Sequence, residues 1–296
     1  MNRYAQHYAE QGYVVFDDLI PLDLIDDVLI ELDRAKKKRR FVYYSQSVHR
    51  WITPRLSSHG FLMDSFENPT WHLHLPALRK AAMQILYHPN VSEALTQISG
   101  VSHFASWQDM LFDRSVSTVD HQDSWYLDTM PYGRLIAGWF ALENILPGSG
   151  PFHVYPASHL LPRISEEEYP KHGDFLTAVK QLVRDHQLQK KSMPLPKGAV
   201  LFWHPNLIHG ADLVSDERYS RKSLTSHYYP VGTLRKDSTN LLQDMRQLKP
   251  TQNTYMFRKG MPELSWIVKG HVHYLKDRLL RDTAPIDNMN RSAYEA

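Results

Sequence analysis

From residue 102 onward the chain breaks into six short segments rich in β-branched and aromatic residues, at 104–112, 119–126, 135–143, 152–156, 199–203 and 221–229. Turn residues separate them, as at Pro147-Gly148-Ser149-Gly150. Many short strands punctuated in this way predict a β-sandwich or barrel. The first hundred residues read differently. A polar helix is expected over 2–10, a strand over 12–16, and a helix over 21–32. The last of these opens at Pro21 and carries an apolar stripe at Leu22, Ile25, Val28, Leu29 and Leu32. Residues 41–71 read as loop with short pieces of structure. Two helices are expected over 75–99, broken at Pro89-Asn90. The fold class is therefore mainly β with flanking helices gathered at the N-terminal side.

No internal repeat or low-complexity linker divides the 296 residues. One domain is expected, with helical support over about 1–100, a β core over about 101–231 and an extension over about 232–296. An insertion at 163–193, helical over 174–187, lies between the fourth and fifth predicted strands. A further helix is expected over 263–281, followed by a polar tail. The chain has no cysteine, which excludes disulfides, thiolate metal sites and cysteine nucleophiles together. No apolar run approaches the roughly 20 residues a spanning helix needs, and no secretory apolar region opens the chain. A cytoplasmic protein with no membrane span is the default expectation. The net charge of +2 is nearly balanced, and the basic run from Arg34 to Arg40 is read first as a solvated helix end. Its second reading is a patch for phosphate, nucleic acid or an anionic surface.

Without thiolates, a metal must be held by His, Asp or Glu. His121 and Asp123 stand two residues apart in a segment that reads as extended, so both side chains would leave the same face of a strand. A second His-x-Asp, His172 and Asp174, precedes a helical stretch and is read as a turn with Asp174 as helix cap. Two histidines and a carboxylate with open positions form the facial triad of non-haem Fe(II) oxygenases. The best third ligand is His209, beyond the apolar run Ala199-Val200-Leu201-Phe202-Trp203, with His204 as its competitor. The pairs His72/His74 and His271/His273 lack a carboxylate at the same spacing and are read as packing or surface histidines. Arg221 opens the last predicted strand, and its guanidinium fork suits the far carboxylate of a dicarboxylate co-substrate.

Six weak motifs in the right order carry a resemblance. They are Asp120-His121-Gln122-Asp123; Trp139-Phe140-Ala141-Leu142-Glu143-Asn144; Gly150-Pro151-Phe152-His153-Val154-Tyr155-Pro156-Ala157-Ser158-His159; Lys197-Gly198-Ala199-Val200-Leu201-Phe202; Leu207-Ile208-His209-Gly210; and Arg221-Lys222-Ser223-Leu224-Thr225-Ser226-His227-Tyr228. Between about residues 8 and 230 the chain resembles the phytanoyl-CoA dioxygenase family. The resemblance implies a double-stranded β-helix, or jelly roll, with Fe(II) held by His121, Asp123 and His209. It also implies 2-oxoglutarate anchored by Arg221, with Trp139 beside it. Two positions depart from the family: Ala211 stands where a hydroxyl residue is common, and His209 to Arg221 is one residue longer than usual. The longer spacing leaves Arg218 and Lys222 as alternatives to Arg221.

The function the resemblance implies consumes O2 and 2-oxoglutarate, releases succinate and CO2, and hydroxylates a C–H bond of a small molecule. A carboxylate at Asp123 argues against halogenation, which needs that position freed. The alternatives from other classes are a ligand-binding protein on the same scaffold and an oxidative demethylase of nucleic acid. Only the basic run supports the demethylase, and no nucleic-acid partner is expected. Neither the substrate nor the oligomeric state is legible.

Overall fold

A computed structural model describes residues 2–38, 41–235, 245–251, 254–259, 268–270, 272, 275 and 276. In chain order the elements are α1 (Arg3–Gln11), β1 (Tyr13–Phe16), α2 (Leu22–Lys36), β2 (Tyr43–Ser45), β3 (Arg50–Ile52), β4 (Phe66–Glu67), α3 (Pro76–Leu86), α4 (Pro89–Ser99) and β5 (Phe104–Phe112). Then come the single turn α5 (Asp123–Tyr126), β6 (Thr129–Met130), β7 (Ile136–Ala141), β8 (Phe152–Val154), α6 (His172–Asp185), β9 (Lys191–Ser192), β10 (Val200–Trp203), β11 (His209–Ala211), β12 (Ser223–Pro230), β13 (Leu234–Arg235), β14 (Met245–Thr251) and β15 (Thr254–Lys259).

Eight strands form one antiparallel sheet in the order β1-β10-β7-β12-β5-β4-β2-β3, and β11-β8-β9 form a second. The first and last segments of the strand-rich region thus pair with neighbours far away in sequence, as a jelly roll requires. The segment from 41 to 71, expected as loop with short pieces of structure, lengthens the large sheet through the short strands β2, β3 and β4.

The alternation of side chains decides which face of the large sheet meets what. Ile136 and Phe140 of β7, Val200 and Phe202 of β10, and Leu224 and Tyr228 of β12 all enter one apolar cluster with α2, α3 and α4. The apolar stripe of α2 is buried there at Ile25, Val28 and Leu32. The intervening residues, Ala137, Trp139 and Ala141 of β7 and Leu201 and Trp203 of β10, face the other way. They pack against Phe152 and Val154 of the small sheet. The interior between the sheets, where a jelly roll holds its chemistry, is therefore built from one parity of each strand.

Arg34 stays exposed and pairs with Glu31 one turn away, whereas Lys36 bridges Asp33 and the buried Asp113. Among the described residues no helix is long and apolar enough to cross a membrane. The insertion carries α6, which starts two residues earlier than expected. Lys171 occupies the cap, and Gly173 and Asp174 lie within the first turn, so Asp174 is not the cap residue. The helix expected over 263–281 and the polar tail fall largely outside the described residues, as do His271 and His273.

His204 does not join the interior. Its ring lies 5.2 Å from that of His159, and its Nδ1 accepts the N–H of Asn206 at 3.1 Å. Burial, helped by His159, lowers its pKa from 6.5 to about 4. Between those values the unfolded chain binds a proton that the folded chain refuses. Stability is then complete above pH 6.5 and lost as the pH falls toward 4. His209, lowered to about 3 by burial first, acts in the same direction. Thermal unfolding between pH 7 and 4.5 should show this decline, and His204→Gln should flatten it. An unchanged slope would contradict the assignment to His204.

Candidate metal centre

The expectation that residues 119–126 form a strand, with His121 and Asp123 on one face, is not met. His121 makes an isolated antiparallel bridge with His209, each donating its N–H to the other's carbonyl at 3.0 and 3.1 Å. At Asp123 the chain turns into α5, and Leu127 N–H bonds the Asp123 carbonyl at 2.8 Å. The two side chains converge because a bridge and a helix start bring them together, not because of a strand's two-residue period. Gln122 stabilises this bend: its amide donates to the Asn206 carbonyl at 2.7 Å and accepts from Ile164 N–H at 3.1 Å.

The nitrogen and oxygen atoms offered by His121, Asp123 and His209 lie within 4.8 Å of one another. Asp123 Oδ1 is 3.4 Å from His121 Nε2 and 3.6 Å from His209 Nε2. Each histidine has its Nδ1 on a carbonyl two residues upstream, Val119 O at 2.8 Å and Leu207 O at 2.9 Å. A carbonyl can only accept, so Nδ1 carries the proton and Nε2 presents its lone pair to the common point. Burial opposes ionisation of Asp123, but His209, His121 and His227 outweigh it and hold the carboxyl well below its usual range. Two imidazole Nε2 atoms beside a carboxylate oxygen are the donor set a divalent cation needs.

Arg221 is 3% exposed, and its guanidinium lies 5.0 Å from the ring of Phe112 and 5.6 Å from that of Trp139. It makes no ion pair among the described residues. One bond, from Nη1 to Ser223 Oγ at 3.3 Å, leaves Nε without an acceptor, and Trp139 Nε1 also lacks one. Burial depresses the pKa to about 10 against the opposing pull of Glu143. A buried cation with unused donors lacks the anion that would balance it. Trp139 stacks on Phe152 (5.5 Å) and Phe152 on His209 (5.3 Å), so a ladder of rings joins this cation to the cluster of His121, Asp123 and His209.

Arg218 lies at the surface against Asp216, and Lys222 turns toward Asp113 and Glu143. His72 and His74 bond backbone carbonyls, and His172 meets Tyr126 Oη at 2.7 Å, outside the cluster. Sequence reasoning missed three interior residues. Ser223 places a hydroxyl beside Arg221, where position 211 offers none. His227 Nε2 and Trp203 Nε1 lie 3.6 and 2.9 Å from Asp123 Oδ2. The signal available was strand parity: Arg221, Ser223, Thr225 and His227 are two apart along one edge of the interior.

Gly210 sits where the ligand-bearing segments touch. A Cβ there would lie 2.8 Å from Asp120 Oδ1 and 2.9 Å from the backbone oxygen of Thr118. Since Thr118 O also accepts Ala211 N–H, it cannot retreat without breaking the pairing that sets His121 against His209. Gly210→Ala is expected to destabilise the fold by about 1–3 kcal/mol and to weaken metal binding at least about tenfold. Calorimetric metal titration and thermal unfolding would check both; wild-type values would refute the crowding argument.

A sequence model of the phytanoyl-CoA dioxygenase (PhyH) family matches residues 8–222. Peroxisomal phytanoyl-CoA dioxygenase of Homo sapiens is 28% identical over 110 residues, 36% of this chain and 32% of that protein. The Bos taurus protein is 27% identical over the same length and shares. The chain thus spans about a third of the length of the curated relatives it matches. Among solved structures, the non-heme alpha ketoglutarate dependent carbocyclase SnoK from nogalamycin biosynthesis superposes with a TM-score of 0.58 at 16% identity. The match covers 79% of this chain and 85% of SnoK. EctD from S. alaskensis with 2-oxoglutarate and 5-hydroxyectoine gives 0.54 at 16% identity, covering 78% and 76%. These structural likenesses concern the fold.

Proposed function

The chain belongs to the phytanoyl-CoA dioxygenase family, and from that premise we propose that it is a non-haem Fe(II)/2-oxoglutarate-dependent dioxygenase hydroxylating an unactivated C–H bond of a small molecule. The observation that carries this reading is the pairing of two incomplete sites. Three metal donors converge within 4.8 Å, and along the same ladder of rings a buried arginine waits for an anion. His121, Asp123 and His209 would hold the iron. Arg221, with Ser223 and Trp139, would hold the distal carboxylate of 2-oxoglutarate. Iron bound there would couple decarboxylation of 2-oxoglutarate by O2, giving succinate and CO2, to oxidation of the substrate.

The chain's own contribution is placement and enclosure. The imidazole tautomers are preset by Val119 O and Leu207 O, so no reorganisation is needed on binding. Phe152, Trp139 and Trp203 wall the interior with apolar surface, which strengthens the Arg221–carboxylate attraction by excluding water. Tyr126 is half-exposed beside His121, with ring centres 5.8 Å apart, and marks the side on which a substrate would arrive. The test is succinate formation from 2-oxoglutarate under air, with and without Fe(II). Iron-dependent turnover, even uncoupled from any substrate, is the expected result. A chain that binds 2-oxoglutarate equally with and without metal and never forms succinate would be a binding protein instead.

A further inference from the structure

We propose that Trp203 is a positioning residue for the metal: its indole N–H ties down one oxygen of Asp123, so that the carboxylate offers only the other to the ion. The proposal rests on the reading of His121, Asp123 and His209 as metal ligands. The two oxygens of Asp123 have different partners. Oδ1 faces His121 Nε2 and His209 Nε2, the side on which the three donors converge. Oδ2 points away, receives Trp203 Nε1–H at 2.9 Å and lies 3.6 Å from His227 Nε2.

A free carboxylate can grip a cation with one oxygen or with both. In a three-ligand site the second grip would fill one of the positions that a chelating co-substrate and O2 require. A donor fixed on Oδ2 favours the single grip, because a carboxylate rotated to present both oxygens would leave a buried N–H without an acceptor. The indole suits this task because it donates only and does not titrate. Its ring is also held: Trp203 is 2% exposed, lies on β10 between Tyr13 of β1 and Ala137 of β7, and contacts Phe152 at 4.9 Å and His209 at 5.0 Å between ring centres. One side chain therefore reaches Asp123 through its N–H and His209 through its ring.

The test loads the full chain with Co(II), whose visible absorption reports coordination number, in wild type, His209→Ala and Trp203→Phe. Trp203→Phe keeps an aromatic ring and deletes the donor. It is expected to weaken Co(II) binding about 10- to 100-fold and to alter the visible spectrum of the Co(II)–2-oxoglutarate complex. His227→Gln serves as a comparison that leaves the indole bond in place and is expected to change the spectrum less. If Trp203→Phe fails to fold, the benzothienyl isostere of tryptophan, with sulfur in place of N–H, takes its position with the same expected result. Wild-type affinity and spectrum in the variant would overturn the positioning role. A wild-type chain that binds no Co(II), or whose binding survives His209→Ala, would instead overturn the metal centre itself, so the two failures are distinguishable.

Discussion

Replacing Asp123 or His209 by alanine is expected to abolish the weak visible charge-transfer band that anaerobic Fe(II) and 2-oxoglutarate should give with the wild-type chain. Residues that merely orient a metal ligand are worth 10- to 100-fold in affinity, so losing a donor atom should exceed about 100-fold. The two variants differ in how they treat the apo protein. His209→Ala removes a ring packed on Trp203 and Phe152 and strands the Leu207 carbonyl that its Nδ1–H holds at 2.9 Å. Asp123→Ala also strands the Trp203 N–H, at a further cost of about 1–3 kcal/mol for a buried unsatisfied donor. Both variants are expected to lose the band. A band that survives both changes would remove the assignment of these residues to iron.

The second large effect is at Arg221, where function and stability are expected to move in opposite directions. Arg221→Met should weaken 2-oxoglutarate binding by about 30-fold to a few thousand-fold, since truncating one partner of a buried charge pair costs roughly 2–5 kcal/mol. The same change should raise the stability of the ligand-free protein by about 1–3 kcal/mol. The guanidinium is buried without a counter-ion there, and burial has already pulled its pKa down to about 10. Saturating 2-oxoglutarate should reverse the ranking, because only the wild type gains from the ligand. Thermal unfolding with and without 2-oxoglutarate measures both halves. Unchanged affinity, or an apo variant less stable than wild type, would contradict this role for the arginine.

Much of the site was legible because its parts are ordered along the chain by strand chemistry. The apolar run before His209 became β10, and the cation at the start of the last strand became buried Arg221. What misled was local geometry. His121 and Asp123 looked like neighbours on a strand, yet Asp123 opens α5, and the agreement in outcome has a different cause. His204 and His209 were open alternatives in the sequence, because a histidine after an apolar strand carries no sign of which way it faces. The bond from His204 N–H to Gly12 O at 2.8 Å ties that residue to the α1–β1 junction and leaves the interior to His209. Arg218, Arg221 and Lys222 were likewise separable only once strand parity was anchored by Leu224 and Tyr228 in the helix-facing core.

By itself the sequence determined that a metal site here must be built from His and carboxylate. It also determined that the β-rich segments would alternate between two faces and that the candidate groups follow in chain order: His121 and Asp123, then His204 or His209, then a cation among Arg218, Arg221 and Lys222. Composition and period are local properties, and they survive any arrangement of the strands. The tertiary structure alone decided which oxygen of Asp123 faces the two histidines, which buried N–H groups lack acceptors, and that Trp203 and His227 stand behind the Asp123 carboxylate. Those facts depend on contacts between residues 80 or more positions apart, and the pairing of β10 and β12 with β7 brings Trp203 and His227 together beside Asp123.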